Sequence, residues 1–136
     1  MIKRSILAIA VAFMAWSILD FSIHGVLLLP AYEAMPDLWR PLGEMKRPLM
    51  NLVMLLSIIF FVAIYTSLIS RKSFTVGVKY GLLFGLASGI SMGFGSYCYI
   101  PIPIELAFSW FAGYLIASIV AGAIVGLIVK PPKEVL

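Results

Sequence analysis

Apolar residues run in four long blocks, at about 5–29, 48–70, 76–100 and 104–129. Each block exceeds 20 residues, and a hydrocarbon core about 30 Å thick needs roughly 20 residues of helix to cross it. None of the blocks sustains a period-two alternation, so the pattern does not predict a transmembrane β-barrel. Backbone polar groups in lipid must be satisfied within their own segment, which favours helices. The pattern therefore predicts a single integral membrane domain over residues 1–136, an all-α bundle of four transmembrane helices.

The breaks between blocks carry their own chemistry. Pro30 and Pro36 follow the first block, and Pro48 stands where a first-turn proline is tolerated because its missing N–H has no helical partner anyway. Pro101 and Pro103 separate the third and fourth blocks, and Pro131 and Pro132 end the fourth. The one sizeable loop is 30–47. The connection 71–75 is short, which predicts a tight helical hairpin of the second and third spans.

Composition sharpens this picture. Apolar residues make up 62% of the 136 and charged residues only 12%, against roughly a quarter charged in soluble domains. Together with the mean hydropathy of +1.08, this excludes a soluble enzyme, a disordered chain and a disulfide-stapled secreted module. The single cysteine, Cys98, excludes an intrachain disulfide and a multi-cysteine metal site.

The net charge is +4, but the basic residues sit at block ends and leave no stripe for nucleic acid. With the N-terminus inside, Lys3, Arg4, Arg71, Lys72, Lys79, Lys130 and Lys133 face the cytoplasm. Arg40, Lys46 and Arg47 face outward. That asymmetry predicts both termini in the cytoplasm of a bacterial cell, with the protein in the inner membrane. The apolar stretch before Ala10 is too short for the core of a signal peptide, which needs about 7–15 residues, so the first span is read as uncleaved.

Within the third block, Gly77, Gly81, Gly85, Gly89 and Gly93 recur every four residues. On a helix they form a smooth stripe that admits another helix closely, since packing rather than hydrophobicity drives association in lipid. The fourth block offers Gly113, Ala117 and Ala121 on one row and Ser118, Gly122 and Gly126 on another. The stripe predicts tight packing of the third span against the fourth or against a second copy. The other reading is a narrow backbone-lined path for a small solute.

In the first block, Ser17, Asp20 and His24 lie at i, i+3 and i+7, within about 60° of one helical face. A lone carboxylate at that depth costs at least ~2.5–3.5 kcal/mol, so Asp20 must face protein or water and find a partner. The pair Asp20 and His24 is open to three readings: a polar bond that sets helix register, a proton-handling or solute-binding pair, or metal or haem ligation through His24. Asn51, Ser88, Ser91, Ser96, Glu105 and Ser109 are predicted at the same outer depth and suggest an outward-facing cavity. Tyr32, Trp39 and Arg40 mark the outer loop as a lid, a docking segment or an interfacial anchor. Met45, Met50 and Met54 suit either adaptable packing or a soft metal such as Cu(I).

The stretch His24-Gly25-Val26-Leu27-Leu28, followed by Tyr32 and Leu38-Trp39-Arg40-Pro41, resembles small uncharacterised four-span proteins of bacterial inner membranes. The resemblance implies four spans and that membrane, and no activity, cofactor or catalytic residue. No nucleophile elbow, phosphate loop or zinc-peptidase motif is present, and no cofactor is predicted. The leading expectation is a non-enzymatic accessory or assembly subunit, or a homo-oligomer, acting in the bilayer through glycine-rich helix packing. Its rival is a small-solute or proton-linked transporter or binding protein with a pocket around Asp20 and His24. A metal- or haem-binding subunit using His24 is the third.

Overall fold

The computed structural model describes residues 2–129 and is all-helical among them. Helix α1 (Ile2–Ser22) runs into a π-helical turn at Ile23–Leu27. A single turn, α2 (Leu29–Glu33), and two 3₁₀ turns at Pro36–Leu38 and Leu42–Glu44 form the loop. Helix α3 (Arg47–Leu68) follows, then α4 (Phe74–Ile90) with a second π-helical turn at Ser91–Gly95, then α5 (Ile104–Ile128). Four helices are long and apolar enough to cross a membrane: Ile2–Leu27, Arg47–Leu68, Phe74–Gly95 and Ile104–Ile128. Large apolar side chains such as Ile6, Phe60, Leu83 and Phe108 are exposed on the bundle's outside, as a lipid-facing surface requires.

Two span ends differ from the sequence reading. Pro30 does not simply follow the first span; it opens α2 near its first position, where the absent N–H is harmless. The third span stops at Gly95 rather than Ile100, and Ile100 closes the trailing turn by donating to the Ser96 carbonyl at 2.8 Å. The residue before a proline is disfavoured in the α region, and Pro101 comes next. The expected termination by Pro131 and Pro132 lies outside the described residues.

Helices α4 and α5 form the closest pair in the bundle. A Cβ placed on Gly77 would overlap the carbonyl oxygen of Gly122, and one on Gly122 would overlap that of Gly77. Gly81 sits equally tight against the Ser118 carbonyl, and Gly93 against that of Ala107. A Cβ on Gly85 would come to 2.9 Å from the Ser118 Cβ, and one on Gly126 to 2.6 Å from the Ser73 carbonyl oxygen. Gly89 faces Phe111, both its ring and its carbonyl. At its start, α4 is capped by the Ser73 hydroxyl, which accepts from the Val76 N–H at 3.2 Å.

The second small row of α5 faces α1. A Cβ on Gly113 would come to 3.2 Å from the side chain of Ile23, in the π turn that continues α1, and Ala121 packs with Ala8 and Ala12 of α1 in the main core. Helix α5 is thus the central element, with small-residue faces on two sides.

Helix α3 is attached differently. Its backbone comes close chiefly to α1, and its buried residues, Ile58, Phe61, Val62 and Tyr65, all lie in its second half. There Phe61 packs against Tyr80 and Phe84 at centroid distances of 4.5 and 4.9 Å, and the Tyr80 hydroxyl donates to the Phe61 carbonyl at 2.8 Å. Tyr65 donates to the Ser73 carbonyl at 3.1 Å and accepts from the Ser73 N–H at 3.2 Å. The first half of α3, from Arg47 to Val53, is exposed.

Replacing Gly81 or Gly122 by Leu forces backbone apart from backbone. The expected loss lies at or above the upper end of the ~1–3 kcal/mol typical of overpacking. Leu83→Ala, on the exposed face, is expected to cost about 0.5 kcal/mol or less. Thermal unfolding in mild detergent checks this; equal tolerance at the three positions contradicts so close a seam.

Candidate functional site

Because α3 is pinned at one end only, a cavity of about 500 Å³ opens between α1, α3, α4 and α5. Its floor is aromatic: Phe61 and Phe84, edge to face, beside Ile58. Trp16 and Tyr114 form one wall, their rings T-shaped at 5.2 Å. Met50, Met54 and Met92 contribute thioethers. Of the polar groups, Asp20, His24, Lys46 and Asn51 gather toward the end that carries the loop, and Ser57 lines the cavity further along α3.

Both π-helical turns border this cavity, and each supplies a lining residue: His24 from the first and Met92 from the second. A π turn displaces side chains from the regular helical register, and such turns occur often at functional sites.

A directed hydrogen-bond chain holds His24. The indole N–H of Trp110 is a donor only, and it donates to the Tyr32 oxygen at 2.8 Å. The Tyr32 O–H is therefore free to donate to His24 Nδ1, 2.6 Å away. With Tyr32 as the donor, the neutral ring carries its proton on Nε2, the nitrogen that faces Asp20. The Nε2 to Asp20 Oδ1 distance is 3.9 Å, too long for a hydrogen bond. Among the described residues that is the Asp20 carboxylate's one polar contact. The carboxylate lines the cavity, its side chain 40% exposed.

Tyr32 lies outside the spans, on α2, and burial pushes its phenol above the ordinary range. The Trp110 hydrogen bond opposes that rise and the Asp20 charge adds to it. Tyr32 is thereby kept as a protonated donor toward His24. Trp39 packs edge-on to Tyr32 at 5.2 Å and lies 6.2 Å from Trp110, tying the loop onto α5. Its own indole N–H is buried with no acceptor among the described residues.

The residues singled out in the sequence fall into three groups. Asp20, His24 and Asn51 line the cavity together. Ser17 joins from one turn away, its hydroxyl 3.3 Å from the Met54 sulfur. Tyr32 and Trp39 reach the site through the hydrogen-bond chain and the ring contacts. Ser91, Glu105 and Arg40 are exposed and are not among the lining residues. Lys46, Trp16, Tyr114, Phe84 and Met92 line it without having been singled out, and Trp110 anchors it. The one signal for Trp110 and Tyr114 was their spacing, four apart on a helix, each with an apolar ring and a polar tip.

No group of three or more His, Cys, Asp or Glu side chains converges on a metal-sized site among the described residues. For His24, Nδ1 is already occupied by Tyr32, which leaves Nε2 as the nitrogen available to any ligand.

The chain has one histidine, so nitrogen NMR reads the assignment without ambiguity. The expected spectrum has a protonated Nε2 and an unprotonated, hydrogen-bonded Nδ1. Tyr32→Phe should shift the Nδ1 signal and mix the two tautomers. A spectrum unmoved by that change contradicts the chain from Trp110 through Tyr32 to His24.

No protein-family model, curated protein or solved structure matches the chain.

Proposed function

We propose that this chain is a membrane-embedded binding protein or carrier for a small, largely apolar solute, taken up in the cavity beside Asp20 and His24. One observation carries the reading: an intramembrane carboxylate, costly at that depth, faces a roomy cavity with its nearest polar partner 3.9 Å away. A residue serving only to fix helix register would be expected to complete its hydrogen bond inside the protein. The volume lies within the ~300–1,000 Å³ of small-molecule sites, which are typically apolar with a few placed polar groups.

The charged lining residues lie toward the loop, which supports access from that end. Seven Lys and Arg residues on the termini's side against three on the loop's side support a cytoplasmic position for both termini. In that orientation the pocket faces the periplasm of a bacterial inner membrane.

An accessory subunit or homo-oligomer held by the glycine row is less well supported, because that row is buried against α5 of the same chain. Any partner would have to bind a different face.

Thiol labelling in intact cells tests access and orientation together. In a Cys98→Ser background, Ser57→Cys, which lines the cavity, should react with a charged, membrane-impermeant reagent. Leu56→Cys, on the exposed face beside it, should react far more slowly, and Lys72→Cys should be unreachable. Labelling at Lys72 but not at Ser57 reverses the orientation. Failure to label Ser57→Cys from either side, in cells and in inverted vesicles, contradicts a solvent-reached pocket.

A further inference from the structure

We propose that the cavity's occupant is an amphipathic organic cation, its charged end at Asp20 and its apolar body among Trp16, Tyr114, Phe61 and Phe84. This rests on the binding-pocket reading and names the ligand class for that site.

Three observations converge. The first is charge placement. Asp20 is the acidic lining residue, and among the described residues its carboxylate has no hydrogen-bond partner. The His24 Nε2 lies 3.9 Å from the same carboxylate, beyond hydrogen-bond reach, and its Nδ1 is held by Tyr32. Lys46 is the other charged lining residue; it belongs to the loop, at the outer edge of the site, and is exposed. A lysine there can extend its flexible stem and keep its ammonium in water. The carboxylate, fixed on α1 deeper in the span, cannot leave.

The second observation is the aromatic lining. Trp16 lies one helical turn below Asp20, and Tyr114 packs against it edge to face. Phe61 and Phe84 close the floor. Ring faces attract cations, most strongly where water is excluded, and they cover apolar groups equally well. The combination suits an aryl or alkyl ammonium or phosphonium and offers little to an anion.

The third is size and compliance. About 500 Å³ far exceeds what one metal ion needs and accommodates a molecule with several rings. Three of the lining residues are methionines, from two helices. Unbranched thioethers repack readily, which favours a range of related ligands over a single one.

Equilibrium dialysis with two probes of like shape and opposite charge tests the inference. Tetraphenylphosphonium and tetraphenylborate are offered to the full chain in nanodiscs of zwitterionic lipid, with empty nanodiscs as the blank. The protein should retain the cation in excess of the blank and not the anion. Asp20→Asn, which preserves shape, should weaken cation retention by about tenfold, as loss of one partner in a close charge pair does. Lys46→Gln should leave cation retention equal or stronger, and it keeps the inference testable if Asp20→Asn fails to fold. Retention of both probes alike, or of the anion preferentially, overturns the cation assignment and leaves the pocket reading standing. Retention of neither overturns both.

Discussion

The close approach of α4 and α5 sets the terms for everything else in this bundle. Where Gly77 faces Gly122 and Gly81 faces Ser118, the two backbones touch with no side chain between them. In lipid no hydrophobic force pulls helices together, so contact area and fit must do it. A seam of this kind is stiff, and it occupies the whole glycine row within one chain. The remaining small residues of α5, Gly113 and Ala121, receive α1. Three helices are thereby fixed around one axis.

The fourth helix completes the logic. Helix α3 has no small-residue seam. It is held at its second half by rings and hydroxyls: Phe61 on Tyr80 and Phe84, and Tyr65 on Ser73. Its first half is not drawn in, and the space left beside it is the cavity. The chemistry of that space follows from what faces it: thioethers and rings at depth, and a carboxylate, an imidazole, an amide and an ammonium near the loop. The loop is not a free strap. Tyr32 and Trp39 fix it to Trp110, and the same tyrosine is hydrogen-bonded to the histidine.

Much of the architecture was legible because membrane solvation imposes a blunt code. Length, apolarity and proline placement determine where helices begin and end to within a few residues. Period-four glycine marks a seam, although the sequence left open whether its partner was α5 or a second copy. The polar face of α1 was equally legible, since a carboxylate inside a span demands an explanation. What the sequence could not supply was depth-matching between distant helices. Nothing in the spacing of Met92, Phe84 or Tyr114 says that α3 leans away and exposes them to Asp20. The π turns that re-aim His24 and Met92 have no sequence signature of the kind that caps and turns possess. Glu105 and Ser91 looked equivalent to Asn51 by depth. Helical rotation, which depth does not encode, put them elsewhere.

The central claim is that the space between α3 and the rest of the bundle is an occupied binding site and not a gap that side chains fill. A high-resolution structure of the protein purified from native membrane tests it most directly. The account predicts α3 held apart from α4 at the loop end, with density in the cavity that reaches the Asp20 carboxylate. An α3 packed down on α4, with Met50, Met54 and Met92 filling the space and Asp20 bonded to a neighbouring side chain, would contradict it.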